Sequence, residues 1–163
     1  MGICGHGHGA GIGQALYEYG QEWPYYQRCN EQSMVHTAMG FAKANRRCAT
    51  FACSSSIGPG ATNMMTGAAT ATINRIPVLL LPSDYYATRH QGPVVQQLEH
   101  PVAADLSVND CFRPGSRFFD RLSRPEQLLT APPGAMRVVP VLAATGPVTR
   151  PPPQGSQARA TRH

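Results

Sequence analysis

"CATFACSSSIGPGATNMMTGAATATINRIPVLLLPS", residues 48–83, decides the fold. A short apolar run, "CATFAC", leads through the turn-rich "SSSIGPGATN" into a Gly-, Ala- and Thr-rich stretch, "ATNMMTGAATATI". "IPVLLLPS" then gives a second, continuous apolar run. Strand, helix, strand in that order is a βαβ unit, because parallel strands need a crossover between them. Runs that are apolar at nearly every position, rather than at every second one, predict strands buried on both faces. Gly67 lies inside the predicted helix, where it costs about 1 kcal/mol relative to alanine. Its presence there predicts that something packs very close.

The same alternation extends in both directions. Upstream, "GICG" reads as a clipped first strand, "GIGQALYEYG" as a first helix closed by Gly20, and "PYYQRC" as a short second strand. Asn30 is placed to cap the next helix, which sets Met34, Val35, Ala38, Phe41 and Ala42 on one stripe before Asn45 stops it. Downstream, Asp84 to Asp110 is long, polar and weakly periodic, the pattern of a functional loop with one short helix. "SRFFDRL" returns to strand character, Pro125 opens a helix that Pro132, Pro133 and Gly134 interrupt, and "GPVT" is the last strand candidate. The expected architecture is an α/β fold, a three-layer α/β/α domain with a mostly parallel sheet, over residues 1–150. Residues 151–163, "PPPQGSQARATRH", carry no apolar pattern and read as a disordered, basic, Pro-rich tail.

Composition supports one globular domain: 42% of residues are hydrophobic and 14% charged. No run of about eighteen apolar residues offers a membrane span, and "MGICGHGHGAGIG" lacks the basic flank and apolar core of a signal peptide. A cytoplasmic protein with no membrane partner is expected. The 5 cysteines are odd in number and form no C-x-x-C pair, which suits reduced thiols rather than disulfides. The net charge of +5 comes from basic residues that are spread out rather than interleaved with aromatics, so no nucleic-acid partner is expected.

Three motifs could carry chemistry. "GHGHGA", Gly5 to Ala10, matches the dinucleotide fingerprint G-x-G-x-x-G/A, with Glu31 as the acidic residue downstream. That fingerprint needs a full strand before it, and only Met1 to Cys4 precede it here; an NAD- or FAD-binding module is the alternative reading. His6 and His8 form an H-x-H pair, but with no third ligand at regular spacing they read as ordinary polar residues, and no metal site is expected. In "SIGPGATN", Gly58, Pro59 and Gly60 make an open turn between a strand and a helix start. Backbone N–H groups there can face a crevice at the carboxyl ends of the strands, or the segment can simply be a well-capped connection. Glu31 follows a strand and opens a helix at the same edge, where a carboxylate also interacts favourably with the helix dipole.

Taken together, "NEQSMVHTAMGFAKA" and "SIGPGATNMMTGAATATINRIPVLLLPSD" resemble the N-terminal pyrimidine-binding domain of thiamine-diphosphate enzymes of the acetohydroxyacid synthase superfamily. "GICGHG", "QALYEY", "TGAATATINR", "QQLEHP" and "SVNDCFRP" look most like a ring-opening member that hydrolyses a C–C bond of a cyclic dione in inositol catabolism. The likeness runs from about Ile3 to Val138. It implies that Glu31 hydrogen-bonds the ring nitrogen of the aminopyrimidine and passes it a proton, which favours the tautomer whose exocyclic nitrogen takes the C2 proton of the thiazolium. Such a carboxyl must be held out of bulk water beside a weak base. The resemblance further implies that Gly58, Pro59, Gly60 and Asn63 contact the cofactor and that Gln97 approaches the substrate. Family enzymes hold the diphosphate and Mg²⁺ in a separate C-terminal domain through a Gly-Asp-Gly segment, which this sequence lacks. The expectations are therefore a truncated pyrimidine-binding half, inactive alone or serving as a non-catalytic interaction domain, whose partner is a second copy or a diphosphate-binding domain in trans.

Overall fold

A computed structural model describes residues 1–3, 11–85, 96, 98, 100, 102–103 and 105–144, with 139–144 described by backbone alone. At its centre two parallel strands pair, β1 (Ala52–Ser55) and β2 (Leu79–Pro82), in the register Ala52↔Leu79 to Ser55↔Pro82. The backbone on the other side of β1 continues the pattern. Ile3 donates to Ser54 and Ser54 to Met1, while Gly2 donates to Tyr26 and Arg28 to Gly2, and both bridges are parallel. The spatial order is therefore the segment around Gln27, then Met1–Ile3, then β1, then β2. This is the α/β arrangement with a parallel sheet that the alternation of elements predicts.

Each strand is fed by a helix. α1 (Ile12–Tyr19) ends at Gly20, and α2 (Glu31–Ala44) starts at Asn30, whose side chain accepts from the Ser33 amide at 2.9 Å. α2 packs on β1 and on α4 (Met65–Ile73), with Met34, Val35, Ala38 and Ala42 fully buried. The close approach predicted at Gly67 is there: a Cβ on this residue would lie 2.6 Å from Val35 Cβ. Met34, Val35, Cys53, Ala61 and Met64 form the main core, and Met39, Ala42, Ala71 and Ile76 a smaller one beside it.

Several expectations are corrected. "PYYQRC" makes a single bridge at Gln27 rather than a strand, and β1 begins at Ala52, four residues later than the apolar run suggests. β2 is only half-buried, with Leu81 40% exposed, because it borders the described sheet on one side only. Phe41 is not in the core stripe; it stays partly open and packs on Phe51 at 4.1 Å between centroids, while Met39 is buried in its place. The helix after β1 starts earlier than predicted and is broken at Met64 into α3 (Pro59–Asn63) and α4.

"SRFFDRL" forms no strand. Its Phe119 instead lies under the guanidinium of Arg113, 4.6 Å from the ring centroid. Arg121 bridges Asp84 at 3.0 Å and Asp110 at 3.1 Å, and Ser107 donates to Asp84 at 2.8 Å. This charged cluster ties the end of β2 to the 3₁₀ turn Val108–Cys111 and to α5 (Phe112–Gly115). Pro125 opens a 3₁₀ turn, Pro125–Leu129. α6 (Ala131–Ala144) runs through Pro132, Pro133 and Gly134 instead of being interrupted by them. Proline is tolerated in a first turn because the N–H it lacks would have no partner there. "GPVT", the tail 151–163, "GHGHGA" with His6 and His8, and Gln97 lie outside the described residues.

Candidate functional site

At the carboxyl end of β1 the chain turns through buried Ser56 and Ile57 into Gly58, whose φ of 64° is the left-handed region that favours glycine. A side chain there would also strike the backbone carbonyl of Gln96. Pro59 begins α3 in the first turn, where its fixed φ suits the helix. Fully buried Ala61 and Met64 anchor α3 in the core, and Asn63, its last residue, faces α2.

Glu31, the first residue of α2, meets this turn. Asn63 Nδ2 donates to Glu31 Oε2 at 2.7 Å, joining residues 32 apart in sequence. The other carboxylate oxygen, Oε1, lies over Gly60, where an added Cβ would come within 3.2 Å of it and would strike Ser56 Oγ. Glu31, Ser56, Pro59, Gly60, Thr62, Asn63 and Gln96 line one open cavity of ≈ 500 Å³. Glu31 itself is half-buried, and among the described residues no cation bridges it.

The structure thus brings together Glu31, Gly58, Pro59, Gly60 and Asn63, with Gly58 forming the bend and the other four lining the cavity. Ser56, Thr62 and Gln96 were not singled out from sequence. Ser56 and Thr62 flank the glycine-proline turn, so their proximity follows from the turn itself. Gln96 sits beside Gln97 in a Gln-Gln doublet, and only its backbone contact with Gly58 distinguishes it. Among the described residues no group of three or more His, Cys, Asp or Glu side chains is placed to hold a metal ion.

The cavity offers one negatively charged acceptor edge, hydroxyl and amide groups, and a floor stripped of side chain at Gly60. Such a surface fits a flat, nitrogen-bearing ring: a ring nitrogen can meet the carboxylate while a ring face lies over the bare backbone. An aminopyrimidine satisfies this donor set. A polyphosphate would oppose the Glu31 charge.

Comparison with known proteins identifies the family. The family model described as thiamine pyrophosphate enzyme, N-terminal TPP binding domain, matches residues 4–104. The match takes in the glycine run of the dinucleotide alternative as part of a thiamine domain. The chain is 51% identical over 158 residues to 3D-(3,5/4)-trihydroxycyclohexane-1,2-dione hydrolase of Clostridium perfringens (strain 13 / Type A), covering 97% of this chain and 25% of that protein. It is 52% identical over 158 residues to the Bacillus thuringiensis (strain Al Hakam) protein of the same name, covering 97% and 24%. For the Clostridium botulinum (strain Alaska E43 / Type E3) protein the figures are 52% over 155 residues, 95% and 24%. The chain spans about a quarter of the length of these relatives.

Proposed function

The chain belongs to the thiamine pyrophosphate enzymes through their N-terminal TPP binding domain, and we propose that the cavity at Glu31 receives the pyrimidine half of that cofactor. One observation carries the reading: a carboxylate with one oxygen fixed by Asn63 presents the other beside a glycine floor, at the carboxyl edge of a parallel sheet. Thiamine diphosphate, when bound, supplies the carbanion stabilisation that C–C bond cleavage beside a carbonyl requires.

The chain's own residues do the rest. Glu31 Oε1 faces the ring nitrogen and holds or releases a proton there, a task suited to a carboxyl once a partner surface covers it and excludes water. Pro59 and Gly60 form the wall against the ring, and Gly58 supplies the bend that makes that wall possible. Asn63 keeps the carboxylate in place. Gln97, outside the described residues, is the proposed contact to substrate.

The diphosphate and Mg²⁺ are held by a second, diphosphate-binding domain. With it, the reaction class is that named for the relatives, hydrolytic opening of a trihydroxycyclohexane-1,2-dione. The test supplies in trans the part of the Clostridium perfringens relative that this chain does not span and follows exchange of the C2 proton of thiamine diphosphate by NMR. Glu31→Gln abolishes exchange on this reading; unaltered exchange removes Glu31 from the mechanism.

A further inference from the structure

Asn63 lines the cavity, and its geometry gives it a further role. Its side-chain Nδ2 donates to Glu31 Oε2 at 2.7 Å. The two residues come from different helices, each with its own anchor. Glu31 is the first residue of α2, whose start is fixed by the Asn30 cap. Asn63 closes α3, a five-residue helix held by buried Ala61 and Met64. A glutamate side chain has three rotatable bonds and would sample several rotamers beside an open cavity. A charge-assisted hydrogen bond from a fixed donor selects one of them. The oxygen left over is Oε1, the one lying over Gly60. Gly60 completes the arrangement, since any side chain there would crowd both Oε1 and Ser56 Oγ.

We infer that Asn63 is a positioning residue: it holds one carboxylate oxygen of Glu31 so that the other is presented to the cavity across the bare backbone of Gly60. The inference deepens the proposed function and rests on it only for the identity of the ring that is met. Asn63 therefore acts through Glu31. Its loss frees the carboxylate to turn, and the cavity keeps its shape but loses its fixed acceptor.

The test uses the chain labelled with ¹³C-glutamate, in which the Glu31 signals are assigned by their disappearance in Glu31→Gln. The probe is 4-amino-5-hydroxymethyl-2-methylpyrimidine at millimolar concentration. In the unsubstituted chain the two Glu31 γ-protons are inequivalent and the probe moves the Glu31 carboxyl carbon. In Asn63→Ala the inequivalence collapses and the probe response falls by about tenfold, the factor that corresponds to one hydrogen bond to a charged group. Backbone amide spectra remain those of the folded chain. Unchanged γ-proton inequivalence and unchanged probe response in Asn63→Ala overturn the inference. If the γ-protons collapse in Asn63→Ala while the probe moves nothing even in the unsubstituted chain, positioning stands and the pyrimidine reading fails.

Should Asn63→Ala fail to fold, the exchanged pair Glu31→Gln with Asn63→Asp restores an amide-to-carboxylate hydrogen bond and with it the fold. Positioning requires that this pair bind the probe about tenfold more weakly. Probe binding at the unsubstituted level in the exchanged pair reduces Asn63 to a structural role and overturns the inference.

Discussion

Replacing Gly67 by alanine probes the contact that sets the distance between the two helices flanking the site. An ideal Cβ at this position lies 2.6 Å from Val35 Cβ and 2.7 Å from Val35 Cγ1, against an optimal carbon–carbon separation of about 3.5–4.0 Å. Relief requires α2 and α4 to part by about 1 Å, or Val35 to leave a rotamer that β-branching makes stiff. Overpacking of this kind costs about 1–3 kcal/mol. The upper half of that range applies because Val35 is fully buried and has no free direction in which to move. Alanine recovers about 1 kcal/mol of helix propensity over glycine. The net expectation is a loss of about 1–2 kcal/mol, read in urea as a lower midpoint at unchanged slope and on heating as a fall of about 3–6 °C. In the Gly67→Ala background, Val35→Ala should cost much less than it does alone, since it removes the clash as well as the methyl groups. A more stable Gly67→Ala chain, or a Val35→Ala cost that is equal in both backgrounds, would refute the packing argument.

Other outcomes follow from the same structure. Arg121→Met removes the cation that bridges Asp84 and Asp110 and should cost about 2 kcal/mol, because these carboxylates are mostly shielded from solvent and each loses a charged hydrogen bond; chemical denaturation measures it. Burial alone would raise the Asp110 carboxyl, but the bonds from Arg113 and the Ser107 amide and the charge of Arg121 outweigh it and hold the group below its ordinary range. A depressed folded-state value stabilises above the ordinary aspartate value of about 3.9 and is lost as pH falls through the lower one. Acid unfolding below that value should therefore be shallower in Arg121→Met than in the parent chain. Among the described cysteines, exposed Cys29 and Cys48 should react quickly with a thiol reagent. Buried Cys53, its thiol pushed up to about 11 chiefly by desolvation, should react only on unfolding, and rapid modification of Cys53 in the folded chain would contradict the core assignment. Gly58→Ala, forced into φ 64° against the Gln96 carbonyl, should lose stability by about 1–3 kcal/mol and release the turn.

Much of the fold was legible because local and global signals agree in it. The βαβ order over residues 48–83, the Asn30 cap, the stops at Gly20 and Asn45 and the close packing at Gly67 all follow from residue chemistry that acts within one element or across one interface. Glu31 and the Gly58–Pro59–Gly60 turn were legible as a pair because in the sequence each follows a run with strand character and opens a helix, although the run before Glu31 makes only a single bridge. What escaped depends on distant partners. The break at Met64 arises where a fully buried side chain is taken into the core, which helical periodicity does not record. "SRFFDRL" carries a strand's apolar pattern, yet Phe119 is covered by arginine guanidinium groups and needs no sheet. Leu81 looks like a doubly buried strand residue but stands on a border strand of the described sheet. Gln96 and Gln97 are chemically identical neighbours, and only the backbone contact at Gly58 brings the first into the cavity wall.

The proposed function requires the Glu31 carboxylate to meet a ring nitrogen in the cavity formed with Gly60 and Asn63. The most direct measurement takes thiamine diphosphate labelled with ¹⁵N in its pyrimidine ring and adds it with Mg²⁺ to this chain and the part of the Clostridium perfringens relative that this chain does not span. One ring-nitrogen resonance should then move upfield, as hydrogen bonding to a carboxyl group demands, and the displacement should vanish in Glu31→Gln with the cofactor still bound. An identical ring-nitrogen shift in the parent chain and in Glu31→Gln would contradict the assignment.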